Sequence, residues 1–351
     1  MSGGDPSAFD ALLTQPAPIL ALAPMQDVTD LPFMRIMKHY GGADVYYTEY
    51  FRVHADSCLN KTILSSITQN PTGRPIIAQM IGNHIPSLVR TVRDLLQHPV
   101  AAIDLNLGCP APVVYRKCAG GGLLRDLPVV DSILGALRDA IPGRFTVKTR
   151  IGFDDERTID ALLPIFARHS LDLLTVHGRT VLQMYRDGVR YDLIAEAARA
   201  MKCPVLANGN ISTPEDAASV LRETGVRGLM IGRGAIRNPW LFQQIHAHLR
   251  GESYPTPTGR DVLEYIHTLY EAVCDPGVRE VANVTKMKRY MNFIGAGLDQ
   301  GDVFLHGIRR STKQDEFFAI CTEHLDHSQA MALRPVTAAA MDSAVEMSKS
   351  Q

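Results

Sequence analysis

Eight short apolar segments recur along the chain before residue 232, and their spacing restricts the fold more than any other feature. They cover residues 19–23, 45–48, 75–81, 101–105, 145–149, 172–176, 204–207 and 228–231. Segments with helical spacing of apolar residues lie between them, as over residues 85–96. Alternating strands and helices predict a parallel sheet, and eight such units match a (β/α)8 TIM barrel of about 250 residues. An open doubly wound sheet stays possible, although no Gly-rich dinucleotide fingerprint follows the first strand.

The predicted domain organisation has three parts. Residues 1–17 are expected to be a disordered N-terminal segment, and residues 18–250 the barrel. A turn-rich linker follows, after which no strand pattern returns. Residues 259–351 are therefore predicted to form a small all-helical domain, with helices over 261–273, 278–294, 314–324 and 335–348.

Composition excludes several classes of protein. The net charge is −1, with 36 basic and 37 acidic residues, so a nucleic-acid surface would have to be a local patch. The six cysteines form no C-x-x-C pair, which argues against a structural zinc site, and no metal site is predicted. No export signal and no apolar run of membrane-spanning length is present, so reduced thiols, a cytoplasmic location and no membrane partner are expected.

Polar residues follow nearly every predicted strand. In a barrel these ends lie together on one face, where the active site is built. Asn208-Gly209-Asn210 and Gly232-Arg233 end the last two strands and predict a phosphate site. Four further ends supply partners for a ring: Pro24 with Met25 an apolar surface, Gln79 an amide, and Lys148 and His177 polar groups. This set favours flavin mononucleotide over a sugar phosphate.

The stretch from residue 103 to 124 is where chemistry is most expected. A buried strand breaks at Asn106-Leu107-Gly108-Cys109-Pro110, which puts the Cys109 thiol on a loop just past a strand end. A small buried hydrophobe is the alternative role for this cysteine. The run Gly120-Gly121-Gly122 that follows is interpreted as a flexible loop.

Motif after motif in this order resembles the tRNA-dihydrouridine synthase family. The resemblance covers about residues 19–245 and rests on A-P-M-x-x-V-T-D from Ala23, T-E-Y-x-R-V from Thr48, A-Q-M-I-G from Ala78, D-L-N-L-G-C-P from Asp104, V-K-T-R-I-G from Val147, T-V-H-G-R-T from Thr175, A-N-G-N-I from Ala207 and M-I-G-R-G-A from Met230. Thr48 to Val53 and Lys286 to Phe293 are similar to the bacterial subclass acting at uridine 16 of the D-loop.

The resemblance implies an FMN enzyme with a helical tRNA-binding domain, acting as a monomer. Such an enzyme reduces the 5,6 double bond of particular uridines, and NADPH recharges the flavin. Cys109 would be the general acid that protonates carbon 5 of uracil after a hydride reaches carbon 6. The residues implied to hold FMN are Pro24, Met25, Gln26, Gln79, Lys148, His177, Asn208, Gly209, Asn210, Gly232 and Arg233. Those implied to contact the tRNA are Arg52, Asn106, Arg150, Tyr185, Lys286 and Lys288.

Three other functions remain open from the residues. One is an FMN oxidoreductase acting on a free pyrimidine, which needs no RNA surface. Another is a barrel lyase or aldolase without flavin, in which Lys148 forms a Schiff base. A catalytically inactive tRNA-binding protein is the third.

Overall fold

Eight parallel strands close into a barrel in the computed structural model, which describes residues 6–298 and 301–335. The strands are β1 (Ile19–Leu22), β2 (Val45–Tyr47), β4 (Ile76–Ile81), β5 (Ala102–Leu107), β6 (Phe145–Arg150), β7 (Leu173–His177), β8 (Val205–Asn208) and β9 (Gly228–Ile231). Each pairs with its neighbour in the order β1, β2, β4, β5, β6, β7, β8, β9, and β9 returns to β1. The predicted (β/α)8 barrel is confirmed, and the closed ring excludes an open sheet.

One short strand was not predicted. Strand β3 (Phe51–Arg52) pairs with the end of β4 and continues the ring beyond β2. It lies within the T-E-Y-F-R-V motif that sequence alone assigned to a strand end. Two residues are too few to show a periodic pattern, so only the pairing with β4 defines this strand.

Close backbone approach completes the ring between its first and last strands. A Cβ added to Gly228 would lie 2.1 Å from the backbone oxygen of Ile19, so only glycine permits β9 to meet β1 here. Inside the ring, Ile19, Val45, Ile77, Leu206 and Met230 belong to one buried apolar cluster. This packing fills the barrel interior as a core, as in other barrels of this size.

Fifteen α-helices lie in the described residues. They are α1 (Pro6–Thr14), α2 (Leu31–His39), α3 (Lys61–Thr68), α4 (Ile85–Leu95), α5 (Pro112–Tyr115), α6 (Leu127–Ala140), α7 (Thr158–Arg168), α8 (Tyr191–Ala200), α9 (Pro214–Thr224), α10 (Arg233–Arg237), α11 (Leu241–Leu249), α12 (Gly259–Val273), α13 (Glu280–Ile294), α14 (Gly301–Arg310) and α15 (Gln314–Leu325). None of these described helices is long and apolar enough to cross a membrane.

Helix α1 corrects the expected disorder of residues 1–17. Residues 6–14 are helical, and residues 1–5 lie outside the described part of the chain. Phe9 is fully buried and packs with Ile19 and Val45 in the barrel cluster. Arg227 donates to the carbonyl oxygens of Leu12 and Ala17, which ties this segment to the barrel. The apolar residues of this segment are too few for a periodic signal, and their burial becomes visible only against the barrel.

The described residues fall into two compact units. The first comprises residues 6–31, 43–210 and 218–231, and contains the whole barrel sheet. The second comprises residues 32–42, 211–217 and 232–335 without 299–300. This division differs from the predicted boundaries at 250 and 259, because α10, α11 and most of α2 group with the C-terminal helices.

Aromatic packing and hydrogen bonds explain that grouping in the second unit. The ring of Tyr40, after α2, meets Trp240 edge-on at 5.0 Å and Tyr265 of α12 at 5.5 Å. The Tyr265 hydroxyl donates to the Ile236 carbonyl at 2.9 Å. Arg237 of α10 donates to the Phe293 carbonyl of α13 at 3.0 Å.

The predicted tail helices over 261–273, 278–294 and 314–324 correspond to α12, α13 and α15. Helix α14 was not predicted, and the helix expected over 335–348 falls almost wholly outside the described residues.

Replacing Phe9 by alanine is expected to lower the free energy of unfolding by about 3–5 kcal/mol, because the cavity left under the barrel cannot collapse fully. Urea denaturation measures the change. The control is Thr14→Ala at the exposed end of the same helix, which should change stability by less than about 0.5 kcal/mol. Equal losses in the two variants would contradict the packing role of Phe9.

Candidate active site

Residues 108–111, which follow β5 and are called the Cys109 loop below, are positioned by the side chain of Asn106. The Asn106 Oδ1 atom accepts hydrogen bonds from the backbone N–H groups of Gly108 and Cys109, both at 2.9 Å. A Cβ on Gly108 would lie 3.2 Å from the backbone of Thr149 on β6, a tight contact that favours glycine there. The strand therefore turns sharply, and the half-buried Cys109 thiol stands just beyond it, as the sequence predicts.

The glycine run after Cys109 is tightly packed, so the interpretation as a flexible loop is wrong. Residues Gly120–Arg125 form a 3₁₀ helix in which Gly120, Gly121 and Gly122 are buried. Gly121 donates its N–H to the Cys109 carbonyl at 3.2 Å, and a Cβ on it would lie 2.5 Å from a Val181 methyl group. Glycine is required here because other segments of the chain approach closely: a Cβ on Gly122 would lie 2.4 Å from the Tyr115 carbonyl oxygen.

Arg150 at the end of β6 joins two loops of the site. Its guanidinium donates to the carbonyls of Gly108 at 3.0 Å, Thr180 at 2.8 Å and Met184 at 2.6 Å. It also lies 5.3 Å from the ring centroid of Tyr185. Arg150 is only 2% exposed. A contact with uracil, implied by the resemblance, stays a prediction, whereas its role in bracing the Cys109 loop is visible.

Tyr185 also approaches His177 at the end of β7, with ring centroids 6.2 Å apart and the rings edge-on. The strand register sets Arg150 opposite His177, and His177 opposite Asn208. Arg150, His177 and Asn208 thus end three adjacent strands on the same rim of the barrel.

Lys148 and Asn208 form a second polar pair at this rim. The Lys148 Nζ donates to Asn208 Oδ1 at 3.2 Å, and Asn208 Nδ2 donates to the Met230 carbonyl at 2.8 Å. Burial lowers the pKa of Lys148 to about 8, and nearby Arg150 adds to that effect, while Asp104 opposes it. Lys148 is therefore a cation that can lose its proton close to neutral pH.

The Cys109 thiol is kept protonated at neutral pH by its surroundings. Burial raises its pKa above the ordinary value of 9.0. Hydrogen bonds from the Ala111 backbone and the Tyr50 hydroxyl oppose this shift, as do the charges of Arg150 and Lys148. Tyr50 also belongs to the small apolar cluster packed against Cys109. A neutral thiol with donors around its sulfur is suited to give up a proton.

A buried carboxyl underlies the turn expected to face a cofactor. In residues 24–28, Gln26 is half-buried and its Oε1 atom receives no hydrogen bond from any described residue. Glu49 lies beneath this turn and accepts from the Val28 N–H at 3.3 Å. Burial raises the pKa of Glu49 to about 7, and the negative charges of Asp30 and Asp27 raise it further.

The two predicted halves of the phosphate site, residues 208–210 and 232–233, lie at the ends of β8 and β9. Gly209 and Asn210 follow β8 with φ of 131° and 49°, positive values that end the strand in a turn. Gly232 and Arg233 open the five-residue helix α10, which belongs to the second unit. A shared phosphate site stays a prediction.

The lysines expected to meet RNA bind carbonyl groups at helix ends. Lys286 donates to the carbonyl of Val273, the last residue of α12, at 2.5 Å. Lys288 donates to the carbonyl of Arg309 near the end of α14 at 3.0 Å. Cations at helix C-termini are stabilising, so these lysines have a structural role that the sequence did not indicate. Arg52 is exposed on β3, with its guanidinium 5.7 Å from the Tyr50 ring centroid.

Sequence reasoning missed Asp104, Tyr50, Glu49 and Thr146 as site residues. Each lies inside or beside one of the motifs, and Asp104 and Thr146 lie within strands rather than after strand ends. A charged residue such as Asp104 in the middle of an apolar strand is itself a signal, because burying a carboxylate is costly unless it has partners. Among the described residues no group of three or more potential ligands is arranged to hold a metal ion.

Comparison with known proteins identifies the family. A (β/α)8 barrel with polar side chains and a thiol at the carboxyl ends of its strands is the arrangement seen in barrel enzymes. A family model described as dihydrouridine synthase matches residues 21–330. The tRNA-dihydrouridine synthase B of Pseudomonas putida is 36% identical over 259 residues, 72% of this chain and 76% of the relative. A probable tRNA-dihydrouridine synthase of Rickettsia bellii is 32% identical over 292 residues, 81% of this chain and 88% of the relative. This chain belongs to the dihydrouridine synthase family, as the motifs predict.

Among solved structures, N-(5'-phosphoribosyl)anthranilate isomerase from Pyrococcus furiosus is similar over 67% of this chain and 100% of that chain, with a TM-score of 0.43 and 13% identity.

Glu49→Gln is expected to change how stability depends on pH. The pKa of Glu49 in the folded chain, about 7, lies above its ordinary value of 4.5, so its contribution to the free energy of unfolding falls as pH rises between these values. Glutamine keeps the acceptor for Val28 without the charge. The variant should therefore gain stability relative to the original chain at pH 8, on the order of 3 kcal/mol at most, and little at pH 4.

Urea denaturation at the two pH values measures this difference. Glu223→Gln on the exposed surface is the control and should behave alike at both. A Glu49→Gln variant whose stability parallels the original chain at every pH would contradict the buried-carboxyl interpretation.

Proposed function

We propose that this protein reduces the 5,6 double bond of specific uridines in the D-loop of tRNA, with FMN as its cofactor and NADPH as the reductant. The observation that carries the proposal is the Cys109 loop, which holds a protonated thiol at the barrel rim beside Lys148 and Arg150. The names of the relatives, which are tRNA-dihydrouridine synthases, support the same substrate class.

The residues of the rim fit a flavin. Gln26 offers a buried acceptor that no described residue fills, and the N–H at the edge of a flavin ring is a donor for such an atom. Lys148 offers an ammonium that can balance negative charge on a reduced ring. The other residues proposed to hold FMN are Pro24, Met25, Gln79, His177, Asn208, Gly209, Asn210, Gly232 and Arg233. Bound FMN would supply the hydride for carbon 6 of uracil.

The protein's own part in the reaction is the proton. Carbon 5 becomes basic once a hydride has reached carbon 6, and a neutral acid on the opposite face must then protonate it. Cys109 is that acid, since its raised pKa keeps the thiol protonated at neutral pH. The thiolate that remains lies near the Lys148 and Arg150 cations and accepts a hydrogen bond from the Tyr50 hydroxyl. These groups limit the cost of leaving a charge on a partly buried sulfur.

Six residues are proposed to contact the tRNA. Arg52, Asn106, Arg150 and Tyr185 would surround the extruded base, and Lys286 and Lys288 would meet the backbone elsewhere. The target is predicted to be uridine 16. The names of the relatives give no position in the tRNA.

The decisive test pairs two cysteines of one loop. Cys109→Ala should abolish single-turnover formation of dihydrouridine, by at least about a hundredfold, because general acid catalysis contributes about that much or more. Cys118→Ala, nine residues along, has an exposed side chain and should retain activity. Mass spectrometry of nucleosides from unmodified tRNA measures the product, and mapping the modified position tests uridine 16.

Flavin content separates this proposal from its rivals. The purified protein should be yellow and release one FMN on denaturation. A colourless protein would refute the FMN site and favour a lyase or aldolase using Lys148. A yellow protein that reduces free uracil but not tRNA would favour a free-pyrimidine oxidoreductase, and one that binds tRNA without turnover would be an inactive binding protein.

Lys148 is expected to set the alkaline limit of the reaction. Its pKa of about 8 means that the ammonium is lost as pH rises through 8, so the single-turnover rate should decline above that value. Lys148→Arg keeps the charge at higher pH, because guanidinium groups do not deprotonate in this range. In that variant the decline should move upward, to where the Cys109 thiol ionises. An unchanged pH profile would show that Lys148 does not control it.

A further inference from the structure

The centre of the barrel holds a carboxyl group that no part of the proposed reaction uses. Asp104 on β5 is 0% exposed. Its Oδ1 atom accepts from the Thr146 hydroxyl at 2.5 Å, and its Oδ2 atom accepts from Gln79 Nε2 at 2.8 Å. Burying a carboxylate costs several kcal/mol before its partners compensate. An apolar residue at this position would pack the barrel without that cost, so Asp104 calls for a reason beyond stability.

A continuous line of hydrogen bonds connects Asp104 to the Cys109 loop. The Gln79 Oε1 atom accepts from Asn106 Nδ2 at 2.8 Å. The Asn106 Oδ1 atom accepts from the N–H groups of Gly108 and Cys109, both at 2.9 Å. Two amide side chains therefore connect the carboxylate to the backbone of the proposed proton donor.

The carboxylate decides which way both amides face. An amide has a donor end and an acceptor end of nearly the same shape, so nothing in its outline fixes its orientation. An ionised carboxylate accepts only, and Asp104 therefore draws the NH2 group of Gln79 and leaves its oxygen towards Asn106. Asn106 must then donate to Gln79, which leaves its own oxygen for the loop.

Turning over the two amide side chains would remove the hydrogen-bond acceptor that holds the Cys109 loop. If Asn106 turned over, its NH2 group would face the N–H groups of Gly108 and Cys109, and one buried and one partly buried donor would lose their acceptor. Each such loss costs about 1–3 kcal/mol. The Cys109 loop would then move to find other partners.

We propose that Asp104 is a positioning residue that orients Gln79 and Asn106 and thereby holds the Cys109 thiol in place. The inference rests on the proposed function for its catalytic consequence, but the geometry of the loop can be measured without it. Asp104 is 0% exposed, so it acts through its neighbours.

The experiment compares two buried aspartates. Asp104→Asn keeps the shape but removes the obligatory acceptor. Asp44→Asn is the matched control, because Asp44 is also buried in the first unit and accepts from the Leu20 N–H at 2.9 Å, away from this line. The first readout is the rate of alkylation of Cys109 by iodoacetamide, resolved by peptide mass spectrometry, with exposed Cys118 as internal reference.

In Asp104→Asn the alkylation rate of Cys109 relative to Cys118 should rise at least about fivefold, the factor that corresponds to one lost hydrogen bond of about 1 kcal/mol. In Asp44→Asn the ratio should stay within about twofold of the original chain, even if stability falls. A ratio in Asp104→Asn that also stays within twofold overturns the proposal.

The second readout uses the two halves of the reaction. Single-turnover reduction of uridine in tRNA should fall at least about tenfold more in Asp104→Asn than reduction of bound FMN by NADPH, which Asp104 affects only through Gln79. Equal losses in both halves would overturn a positioning role confined to the loop. If the original chain makes no dihydrouridine, the proposed function fails while the alkylation ratio still tests Asp104.

Thr146→Val serves where Asp104→Asn does not fold. It removes one of the two hydrogen bonds to Asp104 and leaves the Gln79 contact in place. The alkylation ratio should then rise in the same direction by a smaller factor. No change in a folded Thr146→Val protein, measured together with an unfolded Asp104→Asn protein, would overturn the proposal.

Discussion

Two backbone hydrogen bonds to the Asn106 oxygen are the interaction on which the site depends. They turn the chain at the end of β5 and set the Cys109 thiol at the barrel rim. Arg150 holds the same loop from the next strand through the Gly108 carbonyl. The buried glycines of the following 3₁₀ helix let the chain pack close beneath it. Without that turn the thiol would have no fixed direction and would not be held near the charges of Lys148 and Arg150.

Burial has opposite consequences for the groups around this loop. It raises the pKa of the Cys109 thiol, of Asp104 to about 6 and of Glu49 to about 7, and lowers the pKa of Lys148 to about 8. Each shift disfavours the charged form, as expected where water is scarce. Asp104, Glu49 and Lys148 therefore change protonation closer to neutral pH than they would in water, whereas the Cys109 thiol stays protonated there. The same burial makes the charged form of each of these groups destabilising unless it is paired.

Most of the architecture could be predicted from the sequence because it follows from periodicity. All eight barrel strands were found within a few residues, since a strand buried on both faces is a continuous apolar run. Short elements were missed. Helix α1 and strand β3 carry too few periodic residues to stand out, and α14 was missed although Phe304, Leu305 and Ile308 form an apolar face. The division of the chain into units was also different, because aromatic contacts such as Tyr40 with Trp240 join segments that are distant in sequence.

For the site, the sequence by itself determined which residue types end each strand, and so which chemistry the rim can perform. The motifs that contain Cys109, Lys148 and His177 each span a few consecutive residues, so they can be recognised in the sequence alone. Only the tertiary structure decided how those residues are used. It turned Arg150 inward to three carbonyls and tied Lys286 to a helix end. It also joined Asp104 through the amides of Gln79 and Asn106 to the Cys109 loop. The sequence does not show this link, because hydrogen bonds between neighbouring strands depend on their register, which the sequence of one strand does not determine.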